Sequence, residues 1–207
     1  MYIPTQFRET DIPTIHGAIR AAGLATLVTT GPDGILATPL PLLLDAEPAP
    51  YGTLLGHVAR ANTQWQRSDP AVPALAMFAG PDAYVSPSHY ATKRATGKVV
   101  PTWNYVAVHA YGTVEFFDDA ERLLALVTRL TERHEGEREQ PWAVADAPPE
   151  FTQAQLKGIV GLRLTITRLE GKWKMSQNRN AEDRAGVVEG FRAEGRETVA
   201  DLVARQG

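Results

Sequence analysis

The sequence predicts a mainly β protein, an antiparallel barrel with added helices. Apolar stretches that read as strands follow one another through turn signals, hairpin fashion. No regular alternation of strands and helices accompanies them, so a parallel βαβ sheet is not indicated. Residues 159–169 alternate Val160, Leu162, Leu164 and Ile166 with Gly161, Arg163, Thr165 and Thr167, the pattern of a strand with one wet face. No repeat, low-complexity tract or long linker interrupts the 207 residues. They read as one domain, 1–207, with a C-terminal helical extension at about 181–207.

The elements follow in order. Residues 24–30 read as the first strand, Gly31-Pro32-Asp33-Gly34 as a turn in which glycine takes positive φ, and 35–44 as the returning strand. Pro39 and Pro41 cannot donate ladder hydrogen bonds, so that strand lies at an edge or bends. Residues 45–51 form a loop, 53–58 a third strand, 59–67 a short helix and 72–78 a fourth strand. Residues 84–86 and 99–117 supply further extended chain, and 106–111 lack a polar face, which predicts burial on both sides. Asp118 opens a helix, with Asp119 and Glu121 at the positive end of its dipole and Leu123, Leu126, Val127 and Leu130 as its apolar stripe. A polar loop follows at 136–150. Thr152 caps a short helix through Lys157, which Gly158 ends. Gly171 turns the 159–169 strand into 173–176, and 182–205 is helical with breaks near Gly190 and Gly195.

Composition narrows the chemistry. Hydrophobic residues are 43% of the chain and charged residues 22%, ordinary for a soluble globular protein. The absence of cysteine excludes disulfides, thiolate zinc sites, iron–sulfur clusters and a cysteine nucleophile. The N-terminal residues lack the basic and apolar regions of a signal peptide. The charge-free stretch 99–114 contains Pro101, Thr102, Asn104 and His109, so it is no membrane span. A cytoplasmic protein without membrane contact is expected. The net charge of −3 gives no bulk attraction to nucleic acid, but it is unevenly spread. Residues 115–150 hold ten acidic and four basic side chains, and 151–207 hold ten basic and seven acidic. A solvated acidic helix and a mildly basic tail account for this, as does a tail that meets an anionic partner.

Dinucleotide and P-loop fingerprints, an H-E-x-x-H pair and a G-x-S-x-G elbow are missing, and the five histidines show no metal-ligand spacing. No hydrolase or metal-enzyme signature remains, no catalytic residue is indicated, and no metal site is expected.

Four segments are dense in residues that a core does not need. In 56–65, a strand-to-helix junction carries Arg60, Asn62 and Gln64. Free backbone N–H groups and a forked cation there suit an anion, although a capped helix with a surface arginine reads the same way. In 80–90, Ser86 and Ser88 stand among aromatic residues, as in a polar ligand site or an ordinary Pro/Ser loop. In 98–109, Thr102, Trp103, Asn104 and Tyr105 place polar and stacking groups inside an apolar strand. Buried polar groups need partners, and a ligand is one such partner; satisfied core tips are the other. In 170–179, three cations, an indole and several amide or hydroxyl groups crowd together, in a ligand site or a solvated hairpin.

Met1-Tyr2-Ile3-Pro4, His57-Val58-Ala59-Arg60-Ala61-Asn62, Tyr84-Val85-Ser86-Pro87, Val100-Pro101-Thr102-Trp103-Asn104-Tyr105 and Gly171-Lys172-Trp173-Lys174-Met175-Ser176-Gln177-Asn178 together resemble the signature blocks of the PaiB family. These are described as FMN-binding negative transcriptional regulators. The resemblance runs from Met1 to about Gly190. Thr63 stands where the family commonly has proline, and His89 where it has an aromatic. The resemblance implies a flavin-reductase-like split β-barrel, FMN as cofactor, and a homodimer with FMN at the subunit interface. On the matching blocks, the cofactor-binding residues implied are His57, Ala59, Arg60, Asn62, Ser86, Thr102, Trp103, Asn104, Lys174, Ser176 and Gln177. Arg60 and the 59–62 backbone would take the phosphate. Thr102, Trp103 and Asn104 would face the ring or ribityl chain, and Lys174, Ser176 and Gln177 would close the pocket.

Three functions remain open on the sequence: an FMN-binding regulator, a flavin-dependent oxidoreductase, and a split barrel holding another planar ligand such as haem. Direct DNA binding has one candidate, two short helices within 191–205 joined at Glu194-Gly195. Glu197 and Asp201 on the second would repel phosphates. The two-sided apolar character of 99–117 independently supports a homodimer, since a barrel interior covers only one face.

Overall fold

The computed structural model describes residues 1–206; Gly207, the end of the expected C-terminal extension, lies outside the described residues. In chain order the elements are β1 (Arg8–Glu9), α1 (Ile12–Ala21), β2 (Ala25–Gly31), β3 (Gly34–Leu40), β4 (Leu43–Asp45), β5 (Thr53–Ala59), α2 (Gln64–Arg67), β6 (Ala74–Val85), α3 (Ala91–Thr96), β7 (Thr102–Phe117), α4 (Ala120–Glu135), α5 (Pro149–Leu156), β8 (Ile159–Lys174), α6 (Ala181–Ala193) and α7 (Glu197–Ala204). The strands are hydrogen-bonded in the order β3-β2-β6-β7-β8-β5-β4, with β1 on β8, and the sheet does not close. The chain packs as two compact units. One holds Met1–Ala21, Phe78–His109 and Glu170–Gly207, the other Ala22–Met77 and Ala110–Leu169. Strands β6, β7 and β8 contribute residues to both.

In the 22–77/110–169 unit, β2 and β3 form the expected hairpin, closing at Gly31↔Gly34 with Gly34 at φ 111°. The prolines act as anticipated: β3 ends the strand order, and the chain leaves the ladder at Pro41 before β4 begins. Strand β5 pairs antiparallel with β8 from Thr53↔Thr165 to Ala59↔Ile159. Asp119, one residue after the expected opener, caps α4 by accepting from the Arg122 N–H. The α4 stripe then packs Leu126 and Leu130 on Leu43, with Leu55 and Phe117 alongside.

Several boundaries differ from expectation. The 59–67 helix shrinks to Gln64–Arg67, because Ala59 stays in the β5 ladder. Thr152 does not cap α5; the helix starts at Pro149, whose missing N–H costs nothing at a helix start.

In the 1–21/78–109/170–207 unit, the expected turn at Gly171 does not occur, and β8 runs on to Lys174. A side chain at Gly171 would meet Ile15 at 3.0 Å and Trp173 at 2.9 Å, so glycine is there for the close approach of α1. Gly190 likewise does not break its helix: a Cβ there would enter the His89 ring at 2.5 Å. Gly195, at φ 72°, does separate α6 from α7. Strand β6 continues through Gly80 and Pro81 to Val85 rather than stopping at Phe78, with Gly80 admitting Val106. Helix α6 is tied to α3 through the Asp183 carboxylate, which accepts from the Thr92 N–H and hydroxyl, both at 2.9 Å.

Within the single chain, strand β7 buries one of its two faces. Asn104, Val106, Val108, Ala110, Gly112 and Val114 are buried, whereas Tyr105, Ala107, His109 and Tyr111 are half-exposed.

Candidate functional site

The expected site residues fall into two groups, one in each compact unit. In the 22–77/110–169 unit they cluster where β5 meets α2. Asn62 spans the junction: its Nδ2 donates to the Thr38 hydroxyl at 2.9 Å, and its Oδ1 accepts from the Gln64 N–H. Buried Gln64 donates onward to the Thr29 hydroxyl at 3.0 Å and the Leu27 carbonyl at 3.2 Å. Arg60 donates from Nε to the Lys157 carbonyl at 2.8 Å and from Nη2 to the Ile159 carbonyl at 3.2 Å, while Nη1 stands 3.6 Å from Asp118. The guanidinium thus fixes the α5–β8 junction, and the backbone repeats the link through Arg60 N–H to the Gly158 carbonyl. Ala59 is exposed at the end of β5. His57 is half-buried, and its Nδ1 is buried without a hydrogen-bond partner. Burial pushes its imidazole pKa below the ordinary 6.5, which keeps the ring neutral at pH 7.

In the other unit, β7 and the end of β8 bring five expected residues together. Lys174 Nζ donates to the Thr102 hydroxyl at 2.7 Å and the Trp103 carbonyl at 2.6 Å. An ammonium carries three donors, so one remains. Burial, then Lys172 and Arg179, lower the Lys174 pKa below 10.5. The charges that act on Lys174 are therefore cations. The Trp103 indole is 53% exposed and meets Tyr84 edge-on at 5.8 Å. Behind it, buried Asn104 and Ser176 exchange hydrogen bonds of 3.0 and 3.2 Å. Ser176 sits at φ 62°, a left-handed conformation costly for a non-glycine residue and held here by that exchange. Gln177 bridges locally, accepting from Met175 N–H and donating to the Trp173 carbonyl at 2.7 Å. Ser86 accepts from the Ser88 N–H as a turn cap, so its visible role is local.

Two contributors escaped sequence reasoning. Thr38, inside a proline-rich strand, orients Asn62. Tyr2 receives Lys172, whose Nζ donates to the Tyr2 carbonyl at 3.2 Å and lies over the Tyr2 and Tyr105 rings. No local pattern announces a partner 170 positions away. Among the described residues, no histidine or carboxylate cluster is able to hold a metal ion, and no helix is long and apolar enough to cross a membrane.

The exposed indole, the remaining Lys174 donor and the surrounding cations fit a planar ligand carrying negative charge, as FMN is. The comparisons with known proteins bear on the cofactor. A family described as "Putative FMN-binding domain" matches residues 1–168. "Protease synthase and sporulation protein PAI 2" of Bacillus subtilis is 35% identical over 189 residues, spanning 91% of this chain and 88% of that protein. An uncharacterized protein of Aspergillus fumigatus is 36% identical over 255 residues, spanning 100% of this chain and 98% of that one. Among solved structures, the flavocytochrome Anf3 from Azotobacter vinelandii superposes with a TM-score of 0.60 at 15% identity, covering 86% of this chain and 75% of that one, a likeness of fold to a split barrel with an open antiparallel sheet. With residues 1–168 matched and 91% of this chain aligned with the PAI 2 relative, the chain belongs to the PaiB family, and FMN is its cofactor.

Proposed function

We propose that the Trp103–Lys174 cluster holds FMN, and that the protein is a PaiB-type negative regulator that acts through its flavin state rather than by reading DNA itself. The observation that carries the cofactor assignment is Lys174: a partly buried ammonium with two donors committed, one remaining, and other cations acting on it. An anionic group relieves that field. The Trp103 indole offers a flat surface for the ring, and the Asn104–Ser176 pair holds both strands in place beneath it. Bound FMN supplies one- and two-electron redox chemistry. In the other unit, His57, Ala59, Arg60 and Asn62 are FMN contacts by resemblance only. Arg60 acts there as a positioning residue, since its Nε and one terminal nitrogen hold main-chain carbonyls.

The regulatory reading rests on the family resemblance and on the similarity to PAI 2. The helix pair α6–α7 gives direct DNA reading little support. Arg192 lies 3.2 Å from Asp201 and 3.6 Å from Glu197, and Arg196 lies 3.7 Å from Glu194, so acids face the cations that phosphates would need. The inner face of α7, with Val199, Ala200 and Val203, is buried.

The test is the purified protein's visible spectrum, followed by release and chromatography of the ligand. FMN is expected; FAD, haem or a colourless protein that ignores added FMN rejects the reading. Trp103→Ala should weaken FMN by about 1 kcal/mol, the scale of an aromatic stacking pair, and by more than Trp142→Ala does. A larger loss at position 142 moves the ring elsewhere.

The half-exposed side of β7, with Tyr105, Ala107, His109 and Tyr111, is the face that a second copy would cover. A homodimer is the commonest closed assembly. Light scattering should give twice the 22.6 kDa chain mass; a monomer at micromolar concentration with FMN bound removes the dimer.

A further inference from the structure

Helix α4, the segment at 136–148 and helix α5 enclose a cleft of about 760 Å³. Its walls are mostly apolar, with Leu124, Trp142, Val144 and Leu156, and the charged groups lining it are Glu132 and Glu135. A recess of about 240 Å³ shares Trp142, Val144 and Leu156 and is lined in addition by Phe151 and His57. Leu124, Trp142 and Phe151 are exposed, an unusual concentration of large apolar side chains on one small excursion of the chain. That excursion also lies in the segment of concentrated negative charge: ten acidic against four basic residues over 115–150.

We propose that this cleft is a second small-molecule site, separate from the flavin, that takes an aromatic organic cation. The volume lies within the range of about 300–1,000 Å³ usual for small-molecule sites. The apolar walls select a largely hydrophobic body, and the Trp142 face attracts positive charge through its ring quadrupole. Glu132 stands exposed on the wall and supplies the opposite charge. Glu135 has a structural duty as well, pairing with Arg138 at 3.1 Å and accepting from the main-chain N–H of Trp142 at 3.3 Å, which ties the 136–148 segment to α4. An apolar anion would fit the same walls but meet the wrong charge. The proposal stands on the lining of the cleft, and the experiment below tests its separateness from FMN directly.

Tetraphenylphosphonium and tetraphenylborate, alike in size and shape and opposite in charge, separate the two requirements. Equilibrium dialysis of each against the full chain saturated with FMN is expected to show one cation bound per chain, at an affinity about tenfold above that of the anion, as a carboxylate near a partly desolvated cation requires. Glu132→Gln should cut that preference to about threefold or less, and Trp142→Ala should weaken both ions. Both side chains are exposed, so neither change threatens folding; should Trp142→Ala fail to fold, Glu132→Gln decides alone. Equal or anion-favouring binding, affinities untouched by the substitutions, or displacement of the cation by FMN each overturns the proposal.

Discussion

Lys174→Met is expected to weaken FMN by about 1.5–3 kcal/mol, the usual scale of a hydrogen bond to a charged group. That is roughly a tenfold to hundredfold rise in Kd. Methionine keeps the length and apolar stem of the side chain while removing the ammonium and its hydrogen bonds to Thr102 and the Trp103 carbonyl. The pH dependence identifies the cause. Burial, Lys172 and Arg179 depress the Lys174 pKa, so the ammonium loses its proton at a lower pH than an ordinary lysine. Affinity for the anionic cofactor is therefore full below that depressed value and falls as pH rises through it. In the variant this fall disappears. Flavin fluorescence titrations across neutral to alkaline pH provide both readings. Wild-type affinity in a folded Lys174→Met protein would place the anion away from this cluster.

Gly112→Ala should destabilise the protein by about 3 kcal/mol or more, at or beyond the upper end of ordinary overpacking. Gly112 is buried in β7, and a Cβ there would come within 1.9 Å of the Thr165 carbonyl oxygen and 2.8 Å of its carbon. Both atoms are main chain of β8, so no side-chain rotation relieves the contact and the strand must move. With total stabilities of about 5–15 kcal/mol, such a loss populates unfolded chain under mild conditions. Gly17→Ala in α1 is the control. No atom lies within 4 Å of its added methyl, and alanine in a helix is favoured by up to about 1 kcal/mol. Urea denaturation of the two variants should move in opposite directions; equal midpoints would show that β7 and β8 have room the close approach denies.

Local chemistry was legible in the sequence. The Gly31–Gly34 hairpin turn, the alternation of β8, the acidic start of α4 and the break at Gly195 all follow from residues within a few positions of each other. The ligand-like character of 98–109 and 170–179 was also visible, because polar and aromatic groups in an apolar strand have a desolvation cost that needs a reason. Helices α1 and α3 were not anticipated, and the strand expected at 72–78 runs on as β6 to join the extended chain expected from residue 84.

The glycines show most clearly what tertiary structure alone decided. A glycine occurs either because the backbone needs positive φ or because a neighbour needs its space, and one sequence does not distinguish the two. Gly195 is the first kind. Gly171 and Gly190 are the second, their space taken by Ile15 and Trp173 and by the His89 ring. Arg60 shows the same division for charge. Its fork predicts an anion partner, but whether the partner is a ligand or two carbonyls 97 and 99 positions away depends on where α5 delivers the chain into β8. Residues a few positions apart set most of the strand pattern, the acidic start of α4 and the inventory of groups able to meet a flavin. Which of those groups face a ligand and which hold the protein together was decided by long-range contacts, because a hydrogen-bond donor or an empty Cβ position acquires its meaning only from the atoms that come within 3 Å of it.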